Sequence, residues 1–183
     1  MKKLKVLIGG IGNVLLGDDG VGPYVAHLLN ACYEFDSAVE IEDLGTPALD
    51  LIDRISGKDT VILIDSIDVE AKPGSVLPYR KADIMRLRPA VRMDPHAPAL
   101  VDALLSAELF SVCPEEVLLV GIKAQSFEQG CSLSEPVQGA LLETISVILK
   151  ELDRLGVEYK VRECPAELDT WWSSESPLEL STC

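Results

Sequence analysis

Three carboxylates and one imidazole carry the chemistry that this sequence offers. Asp18 and Asp19 stand side by side in Gly9-Gly10-Ile11-Gly12-Asn13-Val14-Leu15-Leu16-Gly17-Asp18-Asp19-Gly20-Val21-Gly22-Pro23, Asp65 ends the run Val61-Ile62-Leu63-Ile64, and His96 stands in Asp94-Pro95-His96-Ala97-Pro98. Asp19, Asp65 and His96 make a two-carboxylate, one-imidazole set that suits Ni²⁺, Zn²⁺ or a similar divalent ion and leaves coordination positions open. Prolines on both sides restrict the backbone around His96, which would hold its ring still. The other histidine, His27, falls off the apolar stripe of its helix and reads as a solvated or hydrogen-bonded surface residue. Each residue alone has a blander role. Asp18 or Asp19 could cap a helix, Asp65 could take backbone N–H bonds in a turn, and His96 could be a structural loop residue.

What joins them is the pattern of elements. Leu4–Ile8 reads as a strand buried on both faces, and Val21, Val25, Leu28, Leu29 and Cys32 recur with helical spacing. The order is therefore strand, glycine turn, acidic pair, helix, with the turn at the carboxyl edge of a parallel sheet, where open α/β folds hold ligands. Thr60–Ile67 is a second central strand, so Asp19 and Asp65 come from neighbouring strand ends on one edge. A dinucleotide fingerprint is the rival reading of Gly10-Ile11-Gly12. Its third glycine falls on Leu15, and the acidic pair would repel a pyrophosphate at the helix N-terminus.

Further elements are expected at Val39–Leu44 (strand), Pro47–Ile55 (short helix), Val76–Tyr79 (strand) and Lys81–Met93 (surface loop). Leu100, Leu104, Leu105 and Phe110 mark a helix, Glu116–Lys123 the last central strand, Gln125–Ser132 a polar loop, Glu135–Leu155 a long helix and Val157–Arg162 an edge strand. Lys81, Arg86, Arg88 and Arg92 form a basic patch that reads as a solvated loop. Residues 1–163 are expected to form one domain, with 164–183 a tail whose Trp171-Trp172 packs back on the body.

The 183 residues suit one core, and 48% apolar content excludes wholesale disorder. A formal charge of −14 opposes nucleic acid and anionic membrane as partners and favours a basic protein or peptide. No apolar run approaches the ~20 residues needed to cross a bilayer, and Met1-Lys2-Lys3 leads straight into a strand, so a cytoplasmic protein without membrane insertion is expected. The five cysteines are scattered without a C-x-x-C pair, which predicts reduced, mostly buried thiols. No G-x-S-x-G elbow or H-E-x-x-H pair supports serine or zincin hydrolysis.

Taken in order, Gly-x-Gly-Asn-x-Leu-x-x-Asp-Asp-Gly-x-Gly at 10–22, Asp-x-Gly-Thr at 43–46, Asp65 with Pro73-Gly74, Pro95-His96, Val120-Gly121-Ile122 and Leu133-Ser134 resemble the hydrogenase maturation endopeptidases over about residues 5–160. Leu44, where glycine is common, and Ala124, where proline usually follows, depart from that pattern. The resemblance implies an α/β, three-layer αβα fold of the phosphorylase/hydrolase-like kind, with a twisted, mostly parallel sheet of about five strands. It also implies an endopeptidase that removes the C-terminal extension of a [NiFe]-hydrogenase large-subunit precursor after nickel insertion, with the nickel as recognition element. Asp19, Asp65 and His96 match the family's metal-holding positions. The nickel would be carried by the precursor, zinc or cadmium could substitute for it, and the enzyme would be a monomer. Asp18 would serve as a partner of the metal-holding set or a general base, and Asp94 would orient His96. A non-cleaving chaperone for the hydrogenase metal site would use the same ligands, and a nucleotide-dependent α/β enzyme is the remaining alternative.

Overall fold

The structure, a computed structural model, describes residues 4–86, 97–166, 168, 170 and 172. Its centre is two strands with no exposed residue, β1 (Val6–Ile11) and β4 (Thr60–Ile67), both covered on each face, as unbroken aliphatic runs require. β3 (Val39–Gly45) pairs with β1 on one side, and β6 (Glu116–Lys123) pairs with β4 on the other, all parallel. β5 (Val76–Arg80) closes the sheet antiparallel to β6, giving the order β3-β1-β4-β6-β5. The α/β, three-layer fold read from the sequence is the fold observed.

Alternation along the strands sends even and odd residues to opposite faces. Ile62, Ile64, Val120 and Ile122 meet α1 (Val21–Cys32) and α5 (Glu135–Leu155) on one face. Val61, Leu63, Val117 and Leu119 meet α2 (Leu51–Ile55) and α4 (Ala97–Leu109) on the other. The chain leaves β1 to build β3, then returns past β1 to build β4. That reversal opens a crevice at the carboxyl ends of β1 and β4, where open α/β sheets take ligands.

Several details differ from the sequence reading. The start of the expected 81–93 loop is a short helix, α3 (Lys81–Ile84), where Arg80 and Asp83 form a reciprocal cap; residues 87–96 lie outside the described residues. The last strand, β7 (Tyr159–Val161), does not join the sheet edge. It pairs antiparallel with β2 (Tyr33–Phe35), an element with no clear sequence signal, and Tyr33, Phe35 and Tyr159 stack across the ribbon. Among the four described cysteines, all free, only Cys32 is buried; Cys131 and Cys164 are exposed. His27 is half-buried, with Nε2 3.5 Å from Asp43 and its ring edge-on to Trp172 at 5.2 Å. Trp172 thus lies against α1, while Trp171 lies outside the described residues. No helix among the described residues is long and apolar enough to cross a membrane.

At the amino edge, α5 is tied to the sheet by charge. Glu151 is 4% exposed and takes a bidentate pair from Arg80 at 2.5 and 2.7 Å, with further bonds from Arg154 at 2.8 and 3.2 Å. Arg154 also binds Glu116. Burial of Glu151 pushes its carboxyl up, but the two guanidiniums outweigh that and hold it at about 2.

Candidate active site

The site is built from glycine packing outward. The chain leaves β1 through Gly12 at φ +137°, and a Cβ there would lie 1.8 Å from the Asp19 carbonyl oxygen. A Cβ on Gly22 would fall 2.2 Å from the Ile11 carbonyl oxygen, so α1 begins in direct backbone contact with the strand end. The glycines therefore serve strand–helix packing, and no phosphate is needed to explain them. Between them, a 3₁₀ turn at Gly17–Gly20 carries Asp18 and Asp19, each 1% exposed. Neither caps α1, whose N-cap is Gly20 without a side-chain bond, so the capping role open in the sequence is not used.

The two aspartates point to different parts of the chain. Asp18 faces the loop after β6. Its Oδ2 accepts the N–H of Gln125 at 2.7 Å, the N–H of Ser126 at 3.1 Å and the Ser134 hydroxyl at 2.8 Å; its Oδ1 accepts the Ser134 N–H at 2.6 Å. Ser134 is the N-cap of α5, yet its hydroxyl serves Asp18 instead of the helix's own first turn. The same loops are cross-laced by Gly17 N–H to the Gly130 carbonyl (2.7 Å) and Gly130 N–H to the Leu15 carbonyl (3.0 Å). These four bonds engage both oxygens of Asp18 and fix the loop that borders the crevice.

Asp19 faces the crevice. Its Oδ2 accepts the Asn13 N–H at 2.8 Å, and its Oδ1 accepts the Ser66 hydroxyl at 2.9 Å. An ionised carboxylate oxygen has two lone pairs and can accept donors or bind a cation. Asp65, 5% exposed, precedes Ser66 on β4. Strand alternation aims Ser66 at the α1 side and Asp65 at the α4 side. The fold thus brings Asp18, Asp19 and the Asp65-Ser66 pair to the carboxyl ends of β1 and β4. His96 and Asp94 lie outside the described residues; α4 starts at Ala97, one residue after His96. Among the described residues no three His, Cys, Asp or Glu side chains converge as a metal site.

Sequence reasoning passed over Ser66, the hydroxyl that orients Asp19, and Gln125 and Ser126, which hold Asp18. Only Ser66 left a signal, as a polar residue beside Asp65 at the end of a central strand. The N–H partners left none, because any residue but proline supplies that donor.

This fold is that of a known class. A family model described as hydrogenase maturation protease (HycI) matches residues 23–151. The hydrogenase expression/formation protein HoxM of Azotobacter vinelandii is 34% identical over 163 residues, 88% of this chain and 79% of that protein. The hydrogenase 2 maturation protease of Escherichia coli strain K12 is 28% identical, over 87% of this chain and 98% of its own length. The solved hydrogenase-maturating endopeptidase HybD from E. coli superimposes with a TM-score of 0.80 at 26% identity, covering 87% of this chain and 98% of that one. The chain belongs to the hydrogenase maturation protease family.

Proposed function

We propose that this chain is an endopeptidase that removes a C-terminal extension from a [NiFe]-hydrogenase large-subunit precursor, and that the nickel already seated in the precursor is its recognition element. The observation that carries this reading is the coupling of Asp19 to β4 through the Ser66 hydroxyl, directly beside Asp65, in the switch-point crevice. Two buried carboxylates, Asp19 from the 3₁₀ turn after β1 and Asp65 from β4, suit a cation brought by a partner. In this scheme Asp19, Asp65 and His96 contact that nickel and place the scissile peptide beside it. Water adds to the scissile carbonyl carbon, the C–N bond breaks, and the proton ends on the leaving amine.

Of the roles read from the sequence for Asp18, partner of the metal-holding set or general base, this scheme takes a supporting one. With four donors on its two oxygens, Asp18 positions the 125–134 loop that walls the crevice. Ser66 sets the orientation of Asp19.

The test is to incubate the purified protein with a nickel-loaded precursor and with its nickel-free form, then weigh the products by mass spectrometry. Loss of a C-terminal peptide only from the nickel form is expected. Equal cleavage of both forms would remove nickel from the recognition step, and binding without cleavage of several precursors would favour a non-cleaving chaperone. His96→Ala should abolish processing while the protein stays folded, and full processing by that variant would sink the ligand set.

A further inference from the structure

A second feature lies on the same sheet edge. Between the start of β5 and the first turns of α5 runs an open groove of about 740 Å³, lined by Lys72, Gly74 and Val76 on one wall and Glu135, Gly139 and Glu143 on the other. It lies close to the crevice. In the strand register Ser66 pairs with Ile122 and Ile122 with Val76, so Val76 stands two strands from the hydroxyl that holds Asp19, roughly 10 Å at normal strand spacing.

The strand wall has main-chain groups to offer. β5 is the terminal strand of the sheet. The Ser75 carbonyl accepts from Lys123 on β6, so by alternation Val76, Pro78 and Arg80 turn their N–H and C=O groups outward. Pro78 has no N–H, and the Arg80 N–H is taken by Asp83 at 3.2 Å. Only at Val76 does the edge keep both a donor and an acceptor for an incoming strand. Pairing along the full edge is blocked, as an exposed edge requires, and pairing at the groove is left open.

The helix wall is shaped to match. Glu135, Gly139 and Glu143 recur every four residues on one face of α5, spanning about 12 Å, the length of three to four extended residues. A Cβ on Gly139 would meet nothing within 4 Å, so no neighbour in the structure demands glycine there. Two glutamates against Lys72 leave the groove acidic, in a chain of net charge −14.

We propose that this groove docks a short, extended, basic segment of the precursor, paired through its main chain to Val76 and facing Glu135 and Glu143 with its cationic side chains. The inference rests on the maturation-protease reading and adds an anchoring surface beside the crevice. Main-chain pairing at a sheet edge supplies affinity, and the flanking carboxylates supply specificity for lysine or arginine.

The test compares wild type with Gly139→Leu, which fills the groove while favouring the helix, and with Val76→Pro, which deletes the outward N–H without touching the β6 ladder. Gly139→Ala serves as the control. Dissociation constants for the precursor come from titration calorimetry, cleavage kinetics from mass spectrometry, and folding from circular dichroism. Gly139→Leu and Val76→Pro are expected to raise Kd and KM about tenfold with kcat within about twofold, and Glu135→Gln with Glu143→Gln to weaken binding most at low salt. Folded variants with Kd unchanged would overturn the inference. A wild type that binds the precursor without cutting it would sink the peptidase reading alone, and one that binds no precursor would overturn both.

Discussion

Buried carboxylates occur at both ends of this sheet, and they are treated in opposite ways. At the amino edge Glu151 meets the guanidiniums of Arg80 and Arg154, and Arg154 is shared with Glu116. At the carboxyl edge Asp18 takes bonds from two loop amides and from the amide and hydroxyl of Ser134, while Asp19 takes them from the Asn13 amide and the Ser66 hydroxyl. The first arrangement neutralises an acid inside the protein and ties α5 to β5 and β6. The second holds its acids through neutral donors, four on Asp18 and the Asn13 amide and Ser66 hydroxyl on Asp19. Similar burial therefore serves an ion-paired tie at one end and, in the function proposed above, the site for an incoming cation at the other.

The comparison breaks most sharply at Asp19. Asp19→Asn keeps the shape of the crevice and removes the charge, so cleavage should fall about a thousandfold while the melting temperature moves little. A variant that cleaves normally would remove Asp19 from the site. Its neighbour should behave in reverse. Asp18→Ala strips four donors of their acceptor and should cost about 3 kcal/mol in denaturant unfolding, with loss of hydrogen-exchange protection centred on 125–134. Unchanged stability would show that the loop does not depend on that carboxylate.

Glu151 tests the amino edge. Its carboxyl sits at about 2 in the folded protein against 4.5 ordinarily, so its contribution is complete above about 4.5 and is lost as pH falls toward 2. Because both arginines are half-exposed, solvent screens the pair, and Glu151→Gln should cost about 2 kcal/mol at neutral pH and flatten the acid limb of the stability curve. An acid limb identical to wild type would mean that other carboxylates set it. The smallest effect belongs to Tyr24, whose hydroxyl is buried without a hydrogen-bond partner among the described residues and is pushed by burial up to about 12. Tyr24→Phe should raise stability by about 1 kcal/mol in thermal or denaturant unfolding, and a loss of that size would reveal a partner for the hydroxyl.

Much of this was legible in the chain. The unbroken Val61–Ile64 run could be satisfied only by burial on both faces, and β4, β6 and α5 begin and end where periodicity placed them. The edge carrying Asp19 and Asp65 followed from strand-turn-helix order. β7 fell within the strand expected at Val157–Arg162, but β2 and the β2–β7 pairing were not legible, because a three-residue strand has no period and its partner lies far away in sequence; the aromatic contacts accompany that pairing.

What the sequence by itself determined is the list of elements, the sheet edge to which its acids belong and the tight strand–helix join that its glycines permit. The tertiary structure alone decided which of two adjacent aspartates does what. Successive residues of a 3₁₀ turn point about 120° apart, so Asp18 and Asp19 had to face different neighbours. Those neighbours lie 107 to 116 residues away for Asp18 and 47 residues away for the Ser66 contact of Asp19. Local sequence sets the directions of the two side chains, and only the folded chain sets what stands there to meet them.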